Sequence, residues 1–360
     1  MKYNYWIENI KRMFIPRHTK EENKRFDMAE RTFSFPKSYM SNFMGTISQE
    51  DLITYPSYAE YDLLKDDIAD YNSLGRENVY LSTGSGACIK SLCEITMNTN
   101  SNVVSPVPCY PMYGIYGRIF GGKHIGVDYD DSIVFDLNKL IDSINNDTTL
   151  VVISNPFSPI GEYKTIEEVR KLCQVCHDKG IILLIDEAYV DFSPGTLLPL
   201  IKEYDNVVIS RTFSKAFGAA GIRVGYLLGS KKLIDVVTKV QLTYPLSNIS
   251  VKFASYLLNN SDEVSSYAQN TVIARENLCE ILHGGGYDVI NSHTNSIHFH
   301  EKHDDNSKTV NVMNGYGLAF KSGNTKTGTP VTIPGDKRKT WIRLSVGPDI
   351  DKMNFVGDIL

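Results

Sequence analysis

The stretch Ile181-Ile182-Leu183-Leu184-Ile185-Asp186 is an unbroken apolar run that ends in an acid. Branched apolar residues in so short a run are typical of a β-strand that is buried on both faces. Similar runs recur along the chain, with helical patterns between them, at Val79–Ser82, Val103–Val104, Leu150–Ser154 and Val207–Ser210. This alternation predicts an α/β fold, in which helices cover both faces of a mostly parallel sheet.

Chemically useful side chains follow the ends of these predicted strands. They are Ser85, Asn155, Asp186 and Lys215. In a parallel sheet the carboxyl ends of the strands meet at one edge, and ligands bind in the crevice just beyond that edge. We therefore expect the four side chains to line one crevice.

A lysine lies among hydroxyls and small residues in the stretch Thr212-Phe213-Ser214-Lys215-Ala216, and Arg223 follows that lysine by eight positions. Most lysines beside Ser or Thr are only solvated surface charges. A lysine in a pocket, however, can form a Schiff base with an aldehyde. Hydroxyls, glycines and an arginine are the groups that hold a phosphate. A Schiff-base lysine beside a phosphate site predicts a pocket for pyridoxal 5′-phosphate (PLP).

The pattern changes after Pro245. A long helical stretch runs toward Leu282, and short strands are predicted at Ser296–His300 and Trp341–Val346. We predict a large PLP-binding domain over residues 45–245, and a small α+β domain made of residues 246–360 with the N-terminal segment, residues 1–44. A basic loop precedes the last strand and contains Lys321, Lys326, Lys337, Arg338 and Lys339.

The composition sets limits on location and partners. The chain has 360 residues, a net charge of −5 and six scattered cysteines. The acidic balance gives no reason to expect nucleic acid or an acidic membrane as a partner. No apolar run reaches the ~20 residues that a membrane span needs, and the first residues contain no secretory h-region. We expect a cytoplasmic protein with reduced cysteines that binds small molecules.

Three motifs occur together and in a fixed order: Asp186–Phe192, Arg211–Gly225 and Arg343–Gly347. In this order they resemble the fold-type I PLP-dependent enzymes, and among them the class I/II aminotransferase family, in its histidinol-phosphate aminotransferase-like branch. The resemblance covers residues 25–346. It implies the PLP-transferase fold of type I, with a mostly parallel seven-stranded sheet between helices, a small second domain and a homodimer.

The resemblance assigns chemical roles to three residues. Lys215 would hold PLP as a Schiff base and then carry the proton of the reaction. Asp186 would pair with the pyridinium nitrogen and so keep the ring an electron sink. Tyr189, three residues after Asp186, would donate a hydrogen bond to the 3′ oxygen of the ring.

The remaining assignments concern binding. Tyr110 would stack on the face of the cofactor ring. Tyr55 matches a tyrosine that reaches the cofactor phosphate across a dimer interface, and Arg343 matches the arginine that grips the substrate carboxylate. Backbone N–H groups at the start of a helix and a set of side chains would hold the cofactor phosphate. These residues are Ser85, Gly86, Thr212, Ser214 and Arg223.

Two positions depart from the pattern of the family. The stretch Asn155-Pro156-Phe157-Ser158-Pro159-Ile160-Gly161 replaces the usual Asn-Pro-Thr-Gly. In this alignment Ser158 occupies the position of the family asparagine that contacts the 3′ oxygen of PLP, and Asn155 matches an asparagine further upstream in the family pattern. We expect both to contact the cofactor, since serine can still donate one hydrogen bond. Lys321 stands where the histidinol-phosphate enzymes have a second arginine. It offers a substrate phosphate a single compact charge rather than the two parallel N–H donors of a guanidinium.

The resemblance implies an aminotransferase that moves an amino group from a donor such as glutamate to a small, phosphorylated keto or aldehyde acceptor. Two alternatives stay open. A PLP-dependent decarboxylase of a phosphorylated amino acid uses the same cofactor groups. A non-catalytic regulator shares the fold, although the retained Lys215, Asp186 and Tyr189 argue against it. His298 and His300 fall on one face of a strand, but we predict no metal site, because PLP already supplies the electrophile.

Overall fold

The computed structural model of the chain describes residues 3–11, 24–129, 133–303, 305–322, 331, 333–336, 338 and 340–360. Three lysines of the predicted basic loop, Lys326, Lys337 and Lys339, lie outside the described residues. The strands are β1 (Lys24–Arg25), β2 (Val79–Ser82), β3 (Asn102–Val107), β4 (Lys123–Asp128), β5 (Thr148–Ser154), β6 (Ile182–Asp186), β7 (Val207–Thr212), β8 (Gly225–Gly229), β9 (Tyr287–Ile290), β10 (Ser296–Glu301), β11 (Leu318–Ala319) and β12 (Ile342–Ser345).

The α-helices are α1 (Lys37–Met44), α2 (Glu50–Ile53), α3 (Tyr58–Tyr71), α4 (Ser85–Thr96), α5 (Met112–Ile119), α6 (Leu137–Asp142), α7 (Ile166–Asp178), α8 (Leu200–Glu203), α9 (Lys231–Val237), α10 (Asn248–Asn259), α11 (Asp262–Gly284), α12 (Ser307–Gly315) and α13 (Asn354–Ile359). Short 3-10 helices cover Tyr5–Asn9, Arg76–Asn78, Val190–Phe192, Ala220–Ile222, Thr238–Val240 and Ile350–Lys352. Within the described ranges, none of the helices combines the length and apolar character that crossing a membrane requires.

Seven strands form the large sheet, in the order β2-β8-β7-β6-β5-β3-β4. All neighbouring pairs are parallel except the two that involve β8. In the register of the sheet, Ser154 pairs with Asp186, and Asp186 pairs with Ser210. The predicted α/β fold with a mostly parallel seven-stranded sheet is confirmed, and the register sets Ser154 and Ser210 level with Asp186 on the two neighbouring strands.

Helices pack on both faces of this sheet and form two hydrophobic cores. Helix α7 shows how the sequence directs this packing. It begins with a capping box, in which the side chains of Thr165 and Glu168 each accept a hydrogen bond from the other residue's backbone N–H. It ends before Gly180, whose φ of +67° favours glycine. Its buried face carries Val169, Leu172, Cys173 and Cys176.

The small domain contains an antiparallel three-stranded sheet, in the order β12-β10-β9. One face of this sheet is apolar and packs with α11 through Ile297, Phe299, Ile342 and Leu344. The stretch predicted as helical up to Leu282 consists of two helices. Asn260, with φ −128° and ψ 46°, separates α10 from α11.

The division into domains near residues 45 and 245 stays a prediction. Phe43 and Phe253, which the division assigns to the small domain, belong to a core of the large sheet. Helix α11 contributes Val264 to that core and Leu278 to the core of the small domain. This helix therefore ties the two cores together.

Candidate active site

A cavity of about 1380 Å³ opens where the parallel strands of the large sheet end, which is the place the fold predicts for a ligand. Its size is sufficient for a cofactor together with a substrate. Ten of the residues predicted from the sequence line it: Ser85, Gly86, Tyr110, Ser158, Asp186, Tyr189, Thr212, Ser214, Lys215 and Arg223. The structure therefore brings together the predicted catalytic residues and most of the predicted cofactor contacts.

Asp186 ends β6 at the base of the cavity, with only 6% of its surface exposed. Its Oδ1 accepts a hydrogen bond from Ser210 Oγ at 2.7 Å, and its Oδ2 accepts one from Tyr113 Oη at 2.8 Å. Burial raises the pKa of Asp186, against the opposing effect of these two hydrogen bonds. A buried carboxylate that is held by hydroxyls rather than by a cation suits a protonated ring nitrogen.

Lys215 and Tyr189 are neighbours in the cavity, with Lys215 Nζ 5.3 Å from the centre of the Tyr189 ring. The same Nζ donates a hydrogen bond to the backbone carbonyl of Met28 at 2.9 Å. Burial acts to raise the pKa of Tyr189, but the charges of Lys215 and Arg343 and a hydrogen bond with Ser158 outweigh it, so the pKa is lowered. A hydroxyl with a lowered pKa is a good donor to the 3′ oxygen of PLP, the role expected of Tyr189.

The phosphate cradle lies between the start of α4 and Arg223. Gly84, just before the helix, has a φ of +80°, and a Cβ there would stand 2.5 Å from Arg223 Nη2. A Cβ on Gly225 would stand 2.2 Å from the backbone nitrogen of Ser85. Arg223 Nη1 also donates to Ser214 Oγ at 3.3 Å. Gly84 therefore leaves room for the Arg223 side chain, and Gly225 lets β8 approach the start of α4. Ser85, Gly86 and Arg223 all line the cavity, where a helix N-terminus beside a guanidinium suits a phosphate.

These residues fit PLP. The cradle suits the phosphate, the buried carboxylate of Asp186 suits the ring nitrogen, and the amine of Lys215 suits the aldehyde, all within one cavity. When bound, PLP supplies an electron sink for the bond that breaks at the α-carbon of the substrate.

Tyr113 and Ser210 hold Asp186 through hydrogen bonds, but the sequence analysis did not assign either residue to the site. Tyr113 is fully buried, and its ring meets that of Tyr110 edge-on, with 5.6 Å between centroids and 82° between planes. Tyr113 lies in the first turn of α5, three residues after Tyr110, and this short distance from a predicted cofactor contact is the signal that could have found it. Ser210 could have been found as the residue level with Asp186 on the next strand.

Asn155 is buried, but its side chain is turned away from the cavity. Its Nδ2 donates to the Lys164 carbonyl at 3.0 Å, and its Oδ1 accepts from the Lys164 backbone nitrogen at 2.8 Å. The expected cofactor contact of Asn155 is therefore corrected, because both ends of the amide are used to fasten the loop. Ser154 lines the cavity instead, and its Oγ accepts a hydrogen bond from the Ser158 backbone nitrogen at 2.9 Å.

Arg343 and Lys321 lie beside the cavity, outside the set of described residues that line it. They are backbone partners: Arg343 N donates to Lys321 O at 2.8 Å, and Lys321 N donates to Arg343 O at 3.1 Å. Residues paired in this way place their side chains on the same face. Burial and the charge of Arg343 lower the pKa of Lys321, and Tyr189 and Asp27 oppose this effect. The structure thus brings two cations together near Tyr189.

Tyr55 does not reach the cavity of its own chain. It is 75% exposed, and its ring stacks on that of Tyr244 with 4.3 Å between centroids. Several further apolar residues in the two segments around this pair are exposed, namely Leu52, Ile53, Tyr58 and Leu242. Exposed apolar side chains grouped in this way are typical of an interaction surface, and the expected contact of Tyr55 with the cofactor of a second copy stays a prediction.

The N-terminal segment forms a wall of the cavity through two arginines that the sequence analysis did not single out. Strand β1 pairs in parallel with β11, and Arg25 and Arg31 line the cavity. The guanidinium of Arg31 lies between the rings of Phe35 and Tyr267, with its Cζ 4.0 Å from each centroid. These contacts fix the segment over the site.

Comparison with known proteins decides the family. The profile of aminotransferase class I and II matches residues 23–356. The chain belongs to this family. A histidinol-phosphate aminotransferase of Ruminiclostridium cellulolyticum is 30% identical over 292 residues, which cover 79% of this chain and 81% of that protein. This aminotransferase is a PLP-dependent transaminase, as the sequence motifs predict.

Solved structures share the fold of this aminotransferase. The PLP complex of histidinol-phosphate aminotransferase from Sinorhizobium meliloti has a TM-score of 0.83 and 22% identity, over 99% of this chain and 97% of that one. The L-threonine-O-3-phosphate decarboxylase from Porphyromonas gingivalis has a TM-score of 0.73 and 16% identity, over 93% of this chain and 98% of that one. The fold-type I architecture is therefore confirmed. Both an aminotransferase and a decarboxylase have this fold.

Proposed function

We propose that the enzyme moves an amino group between an amino acid donor, glutamate, and a small phosphorylated keto or aldehyde acceptor. The observation that carries the proposal is the pair of neighbouring cations, Lys321 and Arg343, beside Tyr189. Asp27 is the acidic residue whose charge acts to raise the pKa of Lys321. It is itself in an ion pair with Arg25, with 3.2 Å between Oδ1 and Nη2. Two such cations suit a substrate that brings anionic groups of its own. The similarity to a histidinol-phosphate aminotransferase supports a phosphorylated substrate.

The residues of the site would divide the work of transamination. Lys215 Nζ would take up and return the proton at the α-carbon of the substrate. The charge of Asp186 would keep the cofactor ring nitrogen protonated, and Tyr189 would donate a hydrogen bond to the 3′ oxygen. Arg343 would bind the α-carboxylate of the donor through two parallel N–H bonds. Lys321 would then be left for the phosphate of the acceptor.

A panel of acceptors tests this proposal. PLP-loaded enzyme is given glutamate and a set of small aldehydes and keto acids, each with and without its phosphate, and 2-oxoglutarate formation is measured. We expect the phosphate to raise kcat/KM by about 10²-fold, since hydrogen bonds between charged groups contribute about 1.5–3 kcal/mol each. Lys321→Ala should remove most of this preference, whereas Lys352→Ala, which changes a lysine paired with Asp349, should keep it. Equal rates with and without phosphate would contradict the proposal.

Arg343→Lys is expected to raise the KM for the amino donor by about 10–100-fold, because lysine keeps the charge but loses the bidentate fork. Steady-state kinetics with glutamate measures the change. Arg338→Lys is the matched control, because Arg338 forms ion pairs with Asp288 at 2.9 Å and with Asp336 at 2.6 Å. This substitution should leave the KM for the amino donor unaltered. An unchanged KM in Arg343→Lys would place the carboxylate elsewhere.

We also propose a cytoplasmic homodimer in which Tyr55 crosses to the cofactor phosphate of the partner subunit. The exposed apolar side chains around Tyr55 and Tyr244 support such an interface. The six unpaired cysteines suit a reducing compartment.

Tyr55→Phe should weaken PLP binding about tenfold without dissociating the dimer, because it removes one hydroxyl bond to the phosphate and leaves the apolar ring in place. Spectrophotometric titration measures the affinity for PLP, and sedimentation measures the mass. Tyr58→Phe changes a neighbouring exposed tyrosine and should have no effect. A fully active monomer would contradict the proposed dimer and the role of Tyr55.

A further inference from the structure

His298 lies beside Arg343 on the polar face of the small sheet. In the strand register His298 pairs with Arg343, which in turn forms a bridge with Lys321. Directly paired residues of antiparallel strands put their side chains on the same face, with Cβ atoms about 5 Å apart. His298 is therefore the third member of a row that contains the two cations proposed to bind the substrate.

The side chain of His298 is fully buried, yet neither ring nitrogen has a hydrogen-bond partner among the described residues. Buried polar groups are nearly always bonded, because an unpaired one reduces stability. The next histidine on this face follows the rule. His300 Nε2 bonds with Thr340 Oγ1 at 2.8 Å, and His300 Nδ1 bonds with the Glu301 carbonyl at 2.5 Å. Of these two described histidines, only His298 has unpaired ring nitrogens. The described residues contain no cluster of potential metal ligands that would account for them.

Arg343 also has unused hydrogen-bonding capacity. Among the described residues its guanidinium makes one long hydrogen bond, from Nε to Ser296 Oγ at 3.5 Å, although a guanidinium carries several N–H donors. Burial and the charge of Arg343 lower the pKa of His298 to about 3, so the ring is neutral and can accept a hydrogen bond. A carboxylate that engages two donors of Arg343 leaves the others for the protein.

We propose that His298 is a positioning residue for Arg343: its imidazole accepts a hydrogen bond from the guanidinium in the substrate complex and so fixes the orientation of the fork. The inference rests on the proposed function, in which Arg343 binds the α-carboxylate of the donor. A neutral acceptor suits this place better than an acid, because an acid would pair with the guanidinium and compete with the substrate. The free enzyme leaves the ring unpaired and is less stable for it, as functional sites often are.

The test replaces His298 in PLP-loaded enzyme and measures substrate affinity and stability together. The substrate is the amino acid that reacts best when the wild type is screened with the common amino acids. In His298→Leu we expect KM to rise about tenfold, with a much smaller change in kcat, because one charge-assisted hydrogen bond is lost. The Tm of the substrate-free enzyme should rise, because leucine removes the unpaired buried nitrogens. His298→Gln keeps an acceptor and should restore most of the affinity.

Phe299→Leu is the matched control, because Phe299 lies on the opposite face of the same strand, in the core of the small domain. It should lower Tm and leave KM unchanged. A His298→Leu protein that is less stable, or that fails to fold, would overturn the proposal, since a purely structural histidine gives that result. A wild-type KM in His298→Leu would overturn it as well. If the wild type reacts with no amino acid, the proposed function itself fails and this inference falls with it.

Discussion

Lys215→Ala is expected to abolish transamination, with kcat/KM lower by at least about 10³-fold, because a positioned proton-transfer group and the covalent anchor are lost together. Lys215 is the only lysine among the described residues that line the cavity. The cradle at Arg223 is untouched, and the variant should still bind PLP without a covalent link. Turnover of glutamate at saturating PLP measures the loss.

The covalent link is measured separately, by borohydride reduction and mass spectrometry of the digested protein. The mass of the cofactor is expected on the peptide that contains Lys215 in the wild type, and on no peptide of Lys215→Ala. Lys231→Ala is the matched control, since Lys231 is an exposed lysine paired with Asp235, and it should keep both label and activity. A Lys215→Ala protein with a reducible link and full turnover would refute the assignment.

Asp186→Asn is expected to lower kcat/KM by about 10²–10³-fold, the usual effect of removing one preorganised electrostatic group. Asparagine has nearly the same shape and can keep hydrogen bonds with Ser210 and Tyr113, but it offers the ring nitrogen no charge. The measurement compares the rate of the glutamate half-reaction in the two proteins at saturating PLP. An unchanged rate would mean that the charge of Asp186 does not act on the cofactor.

The same substitution should stabilise the cofactor-free protein at neutral pH. Burial raises the pKa of Asp186 in the fold, so the charged form is the one that the fold disfavours. The resulting loss in the free energy of unfolding is absent below the ordinary pKa of aspartate, ~3.9. It develops as the pH rises from there through the raised pKa of the folded state. The Tm values of wild type and Asp186→Asn should therefore converge in acid and separate toward neutral pH, with the variant higher. A variant of lower Tm at neutral pH would show that the fold itself needs the carboxylate.

The strands that sequence reasoning placed best are those whose own side chains are buried and apolar. Strand β6 covers Ile182–Asp186, within one residue of the quoted stretch. Strand β3 covers Asn102–Val107, well beyond the predicted Val103–Val104. Its additional residues include Asn102, Ser105 and Pro106, which are not typical of a strand. Asn102 pairs with both β4 and β5, whereas Ser105 and Pro106 pair with β4 alone.

The candidate site was predictable where a motif fixes both residue type and position, as at Asp186 and Lys215. It was not predictable where a side chain has two possible partners: the amide of Asn155 could face the cavity or Lys164, and the path of the loop decides. The hydrogen bond from Lys215 to Met28 joins residues 187 positions apart. Contacts of this kind depend on how distant segments pack, which local patterns do not encode.

The central claim, that this site carries out transamination, is tested most directly by a single half-reaction. PLP-loaded enzyme is mixed with excess glutamate and no acceptor, and the cofactor spectrum and the products are followed. We predict that the spectrum of the lysine-bound cofactor gives way to that of the pyridoxamine form, and that one 2-oxoglutarate is released per site. Release of carbon dioxide with the lysine-bound form retained would contradict the account and favour a decarboxylase.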